Sequence, residues 1–541
     1  MGNIKHWLLA ASSGVVLAIA WPETLGATSL IFLAFSPLLT LEDKVSKEYN
    51  KSGKTIFGYA YLTFFIFNLI TTWWIYYASA WGAVAAIIFN SLFMAVVFWL
   101  FHITKQKVGR KEGYISLVIY WIAFEYLHLN WDLSWPWLTL GNVFSNTPQS
   151  VQWFEYTGVL GGTLWVLVGN LIFYYSGKVY QTTSKRNGLI LMIILLALVF
   201  IPKLWSKSVY DNYTQDSNGE VDVVIIQPNI DPYKDKFSGM AESEQIDLMV
   251  DLAREKVDEE TDLLVLPETA FPAAYWEHEV EFLYGTEELR KIIDEYPHLR
   301  IITGLSTSRL FVKGEELPPT ARKLGDVGYY DNYNTAMQLD SSELVAFHRK
   351  SKLVLGVEKV PFIKYVPLMK KLSINLGGAA GGYGSQEHPT VFFKNNEFKG
   401  IAPIICYESV YGEYVNEYAK DGAELYAIIT NDGWWDNSPG YKQHLAYARL
   451  RAIEGRRDIV RSANTGISAI INSRGEIVER TKWWVPTALK GKVQLNDEIT
   501  FYIKYGDYFG RIAAFVAVLL VLLTIVKTLN KTEQRLNAGK K

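Results

Sequence analysis

Seven apolar stretches follow one another within the first two hundred residues, at about 6–21, 27–42, 56–77, 81–104, 114–129, 157–176 and 188–204, and an eighth lies at about 510–527. A helix needs roughly 20 predominantly apolar residues to cross a bilayer core, and several of these runs approach that length. Any one of them fits a buried helix of a soluble protein, but seven in succession do not, so the chain is expected to be a multi-pass α-helical membrane bundle of about eight spans. The runs at 27–42 and 114–129 are the shortest. The first run lacks a small-x-small cleavage site and continues into Trp21-Pro22, so it is read as a retained span rather than a signal peptide.

Charge orients this bundle. The connections after the second, fourth and sixth runs are basic, with Lys44, Lys47, Lys51 and Lys54, then Lys105, Lys107, Arg110 and Lys111, then Lys178, Lys185 and Arg186. Those after the first, third and fifth carry no Lys or Arg, and the C-terminal tail is basic again (Lys527, Lys531, Arg535, Lys540, Lys541). Cytoplasmic loops collect positive charge, so both termini are expected in the cytoplasm and the long segment between the seventh and eighth runs on the opposite side. Three domains are expected: a bundle at 1–205, an extracytoplasmic domain at 206–508, and a terminal span with its tail at 509–541. The formal net charge of −2 and the lack of a basic stripe offer nucleic acid no electrostatic footprint. Aromatics, 14% of the residues, cluster at the ends of the apolar runs, where their amphipathic rings suit the membrane–water interface.

The segment 206–508 has a different texture. Short β-branched runs recur at 221–227, 262–267, 299–305, 401–406, 425–430, 458–463 and 467–472, with helix-like stretches at 241–260, 286–296 and 441–456 between several of them. Continuous apolar strands alternating with helices indicate sheets covered on both faces, hence a layered α/β or α+β domain.

Three potential catalytic groups follow such strands. Glu268 comes after Leu263-Leu264-Val265-Leu266-Pro267, Lys350 lies in Phe347-His348-Arg349-Lys350, and Cys406, the single cysteine, ends Ile404-Ile405. Strand ends of layered α/β domains deliver side chains into a shared crevice. A thiol is weakly ionised near neutrality, so Glu268 is assigned as the general base that takes its proton, and later as the acid that returns it. Lys350 is assigned to the oxyanion of the tetrahedral intermediate. Alone, each residue has a bland reading, as an inert buried thiol, a loop carboxylate or a solvated lysine; the set of three does not.

The order Glu268, Lys350, Cys406 resembles the Glu-Lys-Cys triad of the carbon–nitrogen hydrolase (nitrilase) superfamily. LLVLPETAFP at 263–272, ICYESVY at 405–411, and the long segment at 430–477 that opens TNDGWWDNSPGYKQH resemble its membrane branch, the apolipoprotein N-acyltransferases. WPWLTLGN at 135–142 and VQWFEYTGVLGG at 151–162 resemble that family's membrane half. The resemblance implies an αββα sandwich for the domain at 206–508, a bacterial cytoplasmic (inner) membrane location, and neither metal nor cofactor. It further implies that a phospholipid acylates Cys406, lysophospholipid departs, and the N-terminal amine of a diacylglyceryl-modified apolipoprotein attacks the thioester. A membrane-bound amidase using the same triad on a small amide, with water as second substrate, is the alternative; a non-catalytic membrane scaffold is disfavoured by the survival of all three groups.

By position, the resemblance also assigns supporting roles to Glu358, eight residues after Lys350, and to Glu408, two beyond Cys406. Tyr407, Asn431, Trp434, Trp435, Phe237 and Glu125 are carried over as substrate-side residues; from the residues alone, Glu125 pairs with a neighbour or snorkels. Two departures stand out: LVLGVE at 353–358 where the family pattern reads LVPFGE, and Phe237 where tryptophan is common. His444 is read as a helix-start or packing residue, Arg451, Glu454 and Arg457 as a salt-bridged helix face, and the glycine-rich 377–384 as a mobile loop near the site.

Overall fold

The computed structural model describes residues 4–48, 53–215, 218–342, 344–363, 365, 382–394 and 397–538. The chain forms two compact units: Met1–Tyr76, Ala80–Asp211 and Asp507–Lys541 make the first, and Tyr77–Ser79 with Asn212–Gly506 the second.

The first unit is helical. Among the described residues five helices are long and apolar enough to cross a membrane: Gly53–Thr72, Ala80–Lys107, Phe154–Thr182, Lys185–Asn212 and Tyr508–Glu533. Ile4–Ala20 is apolar but has 17 residues, and Arg110–Asn130 opens on three charged residues and holds Glu125 and His128 further along. The run at 27–42 is not one helix. It divides into a 3-10 turn, Thr28–Leu33, and a 13-residue helix, Ser36–Glu48, that Pro37 starts. Asn170 satisfies the backbone at the break, accepting from Phe35 N at 2.8 Å and donating to Ile31 O at 2.7 Å. Within that short helix Glu42 takes His102 Nδ1 at 2.7 Å and the Lys105 ammonium, so buried charges are paired as a low-dielectric interior requires.

The second unit is a two-sheet sandwich. Its strands are β1 (Glu220–Gln227), β2 (Leu263–Val265), β3 (Phe271–Trp276), β4 (Arg300–Leu310), β5 (Arg322–Leu324), β6 (Gly328–Leu339) and β7 (Ala346–Arg349), then β8 (Phe392–Lys394), β9 (Glu397–Ile405), β10 (Ala423–Thr430), β11 (Ile459–Ala463), β12 (Ala469–Ile471), β13 (Ile477–Arg480) and β14 (Thr487–Gln494). One sheet runs β14-β1-β2-β4-β6-β5, with β3 on β4 and β7 on β6; the other runs β13-β12-β11-β10-β9-β8. β1, β2 and β4 are mutually parallel, as are β9, β10 and β11.

Side-chain alternation builds the layers. Along β1, Val221, Val223 and Ile225 enter the cluster shared with Ile401, Ile405, Leu425, Ala427 and Ile429 of the opposite sheet. Val224 and Ile226 point the other way, into a cluster with Ile246, Met249 and Ala253 of the helix Glu242–Arg254 and with Leu289, Ile292 and Ile293 of Tyr284–Glu295. Burying each such aliphatic side chain contributes about 1.5–3 kcal/mol. Helices Gly412–Lys420 and Pro439–Gly455 follow on the second sheet, where Tyr426 of β10 donates to Asn416 Oδ1 at 3.0 Å. Glu268 and Cys406 thus follow the parallel strands β2 and β9, and Lys350 follows β7, which pairs antiparallel with β6 at the same sheet.

Candidate active site

Cys406 closes β9 in the left-handed region, with φ +49°. A β-strand that must turn sharply into the following 3-10 segment leaves its last side chain projecting, at a backbone cost of about 1–3 kcal/mol that the surroundings must offset. They do so with hydrogen bonds. Ser409 Oγ donates to Cys406 O at 2.7 Å, and His444 Nε2 lies 3.1 Å from the same carbonyl. Glu408 accepts from Ile405 N at 2.8 Å with one oxygen, and from Ser351 N at 2.6 Å and Tyr414 Oη at 3.0 Å with the other. One carboxylate thus pins the strand end that carries the thiol to the strand end that carries Lys350. Burial works to raise Glu408, but His348 at 3.2 Å and these donors hold it below the ordinary carboxylate value.

Lys350 is buried between two carboxylates. Its ammonium donates to Glu358 Oε1 at 2.8 Å and to Glu268 Oε1 at 3.1 Å, and Asn334 Nδ2 donates to the same two oxygens at 3.0 and 2.8 Å. Burial alone would lower the lysine, yet Glu268 and Glu358 hold it protonated well above the ordinary value. The Cys406 thiol is pushed upward, first by burial and then by the charge of Glu268, with Lys350 acting in opposition. The thiol therefore rests protonated, and any attack by its sulfur would need a base.

Glu268 is aimed by its backbone. Gly304 N donates to Pro267 O at 3.1 Å, and a Cβ on Gly304 would stand 2.7 Å from Glu268 Cα. Gly304→Ala is expected to displace the carboxylate and to slow acylation of Cys406 by about 10²-fold, the cost of a misplacement near 1 Å. Thioester formation followed alongside thermal unfolding checks this; an alanine variant that acylates normally overturns the positioning argument. The altered turn after Lys350 has its own glycine requirement. Gly356 sits at φ +84°, Glu358 N and Lys359 N both donate to Val354 O, and Glu358 Oε2 accepts from Val354 N at 2.8 Å. The loop that departs from the family pattern still delivers its glutamate to Lys350.

Glu268, Lys350, Glu358 and Cys406 share one cavity of about 320 Å³ with Asn334 and Asn431 and with an apolar wall of Phe237, Pro272, Val354, Val357, Trp434 and Trp435. Phe237 lies nearly parallel to Trp434, centroids 6.2 Å apart. Asn431 is buried and its Oδ1 accepts from Thr465 Oγ1 at 2.9 Å. Tyr407, expected on the substrate side, turns inward instead, 3% exposed and edge-on to Tyr411, outside the described wall of the cavity. Glu125 belongs to the helical unit, where it accepts from Thr163 Oγ1 at 2.6 Å, Leu140 N at 2.8 Å and Trp121 Nε1 at 3.0 Å. Three internal donors make it a paired carboxylate of that unit. Residues 377–381 of the glycine-rich stretch lie outside the described residues.

Behind the thiol stands a polar network that sequence reasoning did not assemble. Asp432 receives Arg461 Nη2 at 2.6 Å on one oxygen, and Thr430 Oγ1 at 2.8 Å and His444 Nδ1 at 2.9 Å on the other. Burial would raise Asp432, but Arg461 and then His444 bring it down to about 2. Donor atoms of Cys406, Asp432 and His444 lie within 4.8 Å of one another, a metal-sized grouping. The guanidinium already neutralises Asp432 and would repel a divalent cation, and His444 is spent on Asp432 and the Cys406 carbonyl, so the group fits an anchor better than a ligand set. His444 is thus more than the packing residue its helix position suggests. Arg451 does pair with Glu454, at 2.9 Å, but Arg457 binds the carbonyls of Ala423, Gly455 and Glu498 instead. Asn334 was missed because it lies in the polar, alternating β6, whose sequence offers no apolar run to mark it.

Residues 223–501 match the carbon–nitrogen hydrolase family, and residues 13–172 match the apolipoprotein N-acyltransferase N-terminal domain. Apolipoprotein N-acyltransferases similar to this chain come from Chlorobaculum tepidum (28% identical, covering 97% of each chain), Geobacter metallireducens (26%, covering 94% of this chain and 92% of that one) and Thermotoga maritima (24%, covering 95% and 93%). These matches, over a chain whose apolar helices precede a sandwich that gathers a thiol, a lysine and two carboxylates, show that it belongs to the carbon–nitrogen hydrolase family, in the branch that carries the apolipoprotein N-acyltransferase N-terminal domain.

Proposed function

We propose that the protein is a membrane apolipoprotein N-acyltransferase in which Cys406 carries the acyl chain. The observation that supports this most directly is the apolar, aromatic cavity around a buried thiol, set beside a lysine clamped by two carboxylates. In the first half-reaction the Cys406 sulfur attacks the ester carbonyl of a phospholipid while Glu268 takes the thiol proton. Lys350 faces the oxyanion. Collapse of the tetrahedral intermediate breaks the ester bond, and Glu268 returns the proton to the departing lysophospholipid alcohol. In the second half-reaction the amine of a diacylglyceryl-modified cysteine attacks the thioester, Glu268 accepts the amine proton, and the thiol leaves with a proton restored. Exclusion of water by the aromatic wall would favour aminolysis over hydrolysis. The basic connections and tail support a cytoplasmic location for both termini, with the sandwich on the outer side of the membrane.

Incubating the purified protein with phospholipid and recording intact mass tests this reading. A gain of one acyl chain, labile to hydroxylamine, absent in Cys406→Ala and discharged by a diacylglyceryl-cysteine peptide, is expected. Bound lipid without an adduct, together with hydrolysis of small amides, would sink it.

A further inference from the structure

Lys236 is 3% exposed, and among the described residues its ammonium has one hydrogen-bond acceptor, the backbone carbonyl of Glu268 at 3.2 Å. The loop that carries it is wound on itself, with Asp235 N and Lys236 N donating to Asp231 O and Gly239 N to Asp235 O. Gln245, also buried, clasps the loop by donating from Nε2 to Lys236 O at 2.9 Å and Met240 O at 3.1 Å. The next residue, Phe237, forms part of the cavity wall. A single loop therefore delivers an aromatic ring to the cavity and a cation to the peptide of the carboxylate assigned as base. That peptide leads directly into Thr269, a non-glycine residue at φ +49°.

Burying a lysine for one neutral acceptor is unfavourable for folding. Burial brings Lys236 down to about 7, against the pull of Glu268. A methionine would fill the same volume without that cost, so stability does not account for the lysine.

We propose that Lys236 is a positioning residue for acyl transfer, whose ammonium fixes the Glu268–Thr269 turn and adds a second positive charge beside the catalytic carboxylate. The inference rests on Glu268 being the proton acceptor. Among the described residues, the charged and titratable groups facing Glu268 are Lys350 from the end of β7, Glu358 from the turn beyond it, Cys406 from the end of β9, and Lys236. On the other side of Lys236, Glu242 lines the same small hollow, its carboxylate bonded to the Tyr275 hydroxyl. Removing the Lys236 charge makes ionisation of the base less favourable, so the acidic limb of the rate profile moves to higher pH. For stability the sign is opposite to that of an ordinary paired lysine. The unfolded chain binds the extra proton between about pH 7 and about pH 10.4, so wild-type stability rises with pH across that window. Lys236→Met removes this rise.

The test is acyl-adduct formation by intact mass on the full-length protein in phosphatidylglycerol nanodiscs, from about pH 5 to 9, with thermal unfolding of each variant. Lys236→Met is expected to acylate about tenfold more slowly, with its acidic limb raised by roughly half a unit to one unit and its unfolding temperature unchanged or higher. Lys236→Arg is expected to restore the limb. A methionine variant with wild-type rate and limb overturns the proposal, as does a rate loss that tracks a lowered unfolding temperature with the limb unmoved. Absence of any adduct on the wild type overturns acyl transfer itself, and this inference with it.

Discussion

The Lys350→Met variant is expected to form the Cys406 thioester about 10²–10³-fold more slowly than wild type, the effect of removing one charged donor from a developing oxyanion. It is also expected to lose about 3–5 kcal/mol of stability, because a buried pair is broken by deleting one partner. Lys350 is 1% exposed between Glu268 and Glu358, and Asn334 has one amide nitrogen to offer both. Without the ammonium, two carboxylates face each other across that amide. The folded-state value of the lysine is raised, so its contribution is fully present below about pH 10.4 and is lost only at more alkaline pH. At neutral pH the wild type therefore has all of it. Adding Glu358→Gln to Lys350→Met removes one of the opposed charges and is expected to recover part of the unfolding temperature and none of the rate. A single mutant that acylates at the wild-type rate would show that Lys350 is an architectural cation and not the oxyanion's partner.

Arg461→Met should have an equally large effect on stability and a smaller direct one on chemistry. Arg461 is fully buried, donating to Asp432 at 2.6 Å and to Ile467 O at 2.6 Å. Its loss leaves Asp432 buried with His444 and Thr430 as partners, at a cost of about 3–5 kcal/mol. In the wild type Asp432 is depressed to about 2, so it contributes stability above about pH 4 that disappears as pH falls toward 2. In the variant that acid-side loss is expected to vanish, since burial then dominates and the sign reverses. Denaturant unfolding at several pH values measures both. Because Asp432 orients His444, which lies 3.1 Å from the Cys406 carbonyl, slower acylation is expected at any pH where the variant remains folded. Unchanged stability would mean that water replaces the guanidinium at little cost.

Glu268 and Cys406 were legible because each follows an apolar run and because the chain has one thiol; Lys350, preceded by His348-Arg349, was legible from the order of the three groups. Hydropathy and strand pattern are local properties, so the membrane runs and most of the core strands could be read from neighbouring residues alone. The same locality explains the misreadings. The run at 27–42 looks continuous in hydropathy, yet it breaks just before Pro37, where Asn170 of a distant helix satisfies the backbone. Tyr407 sits beside Cys406 in sequence, but the turn at φ +49° sends it into the interior.

By itself, then, the sequence determined the class of molecule, an apolar helical region joined to a layered domain, and named the three groups most capable of covalent chemistry. Only the tertiary structure decided what surrounds them. Glu268 and Lys350 are 82 positions apart and meet because β2, β4, β6 and β7 pair in one sheet. Asn334 between the carboxylates, Gly304 behind the Glu268 backbone, Lys236 on its carbonyl and Arg461 on Asp432 are ordinary residues in ordinary segments. Their roles arise from strand register and from the facing of two sheets, and contact across a fold is not a property of any one stretch of chain.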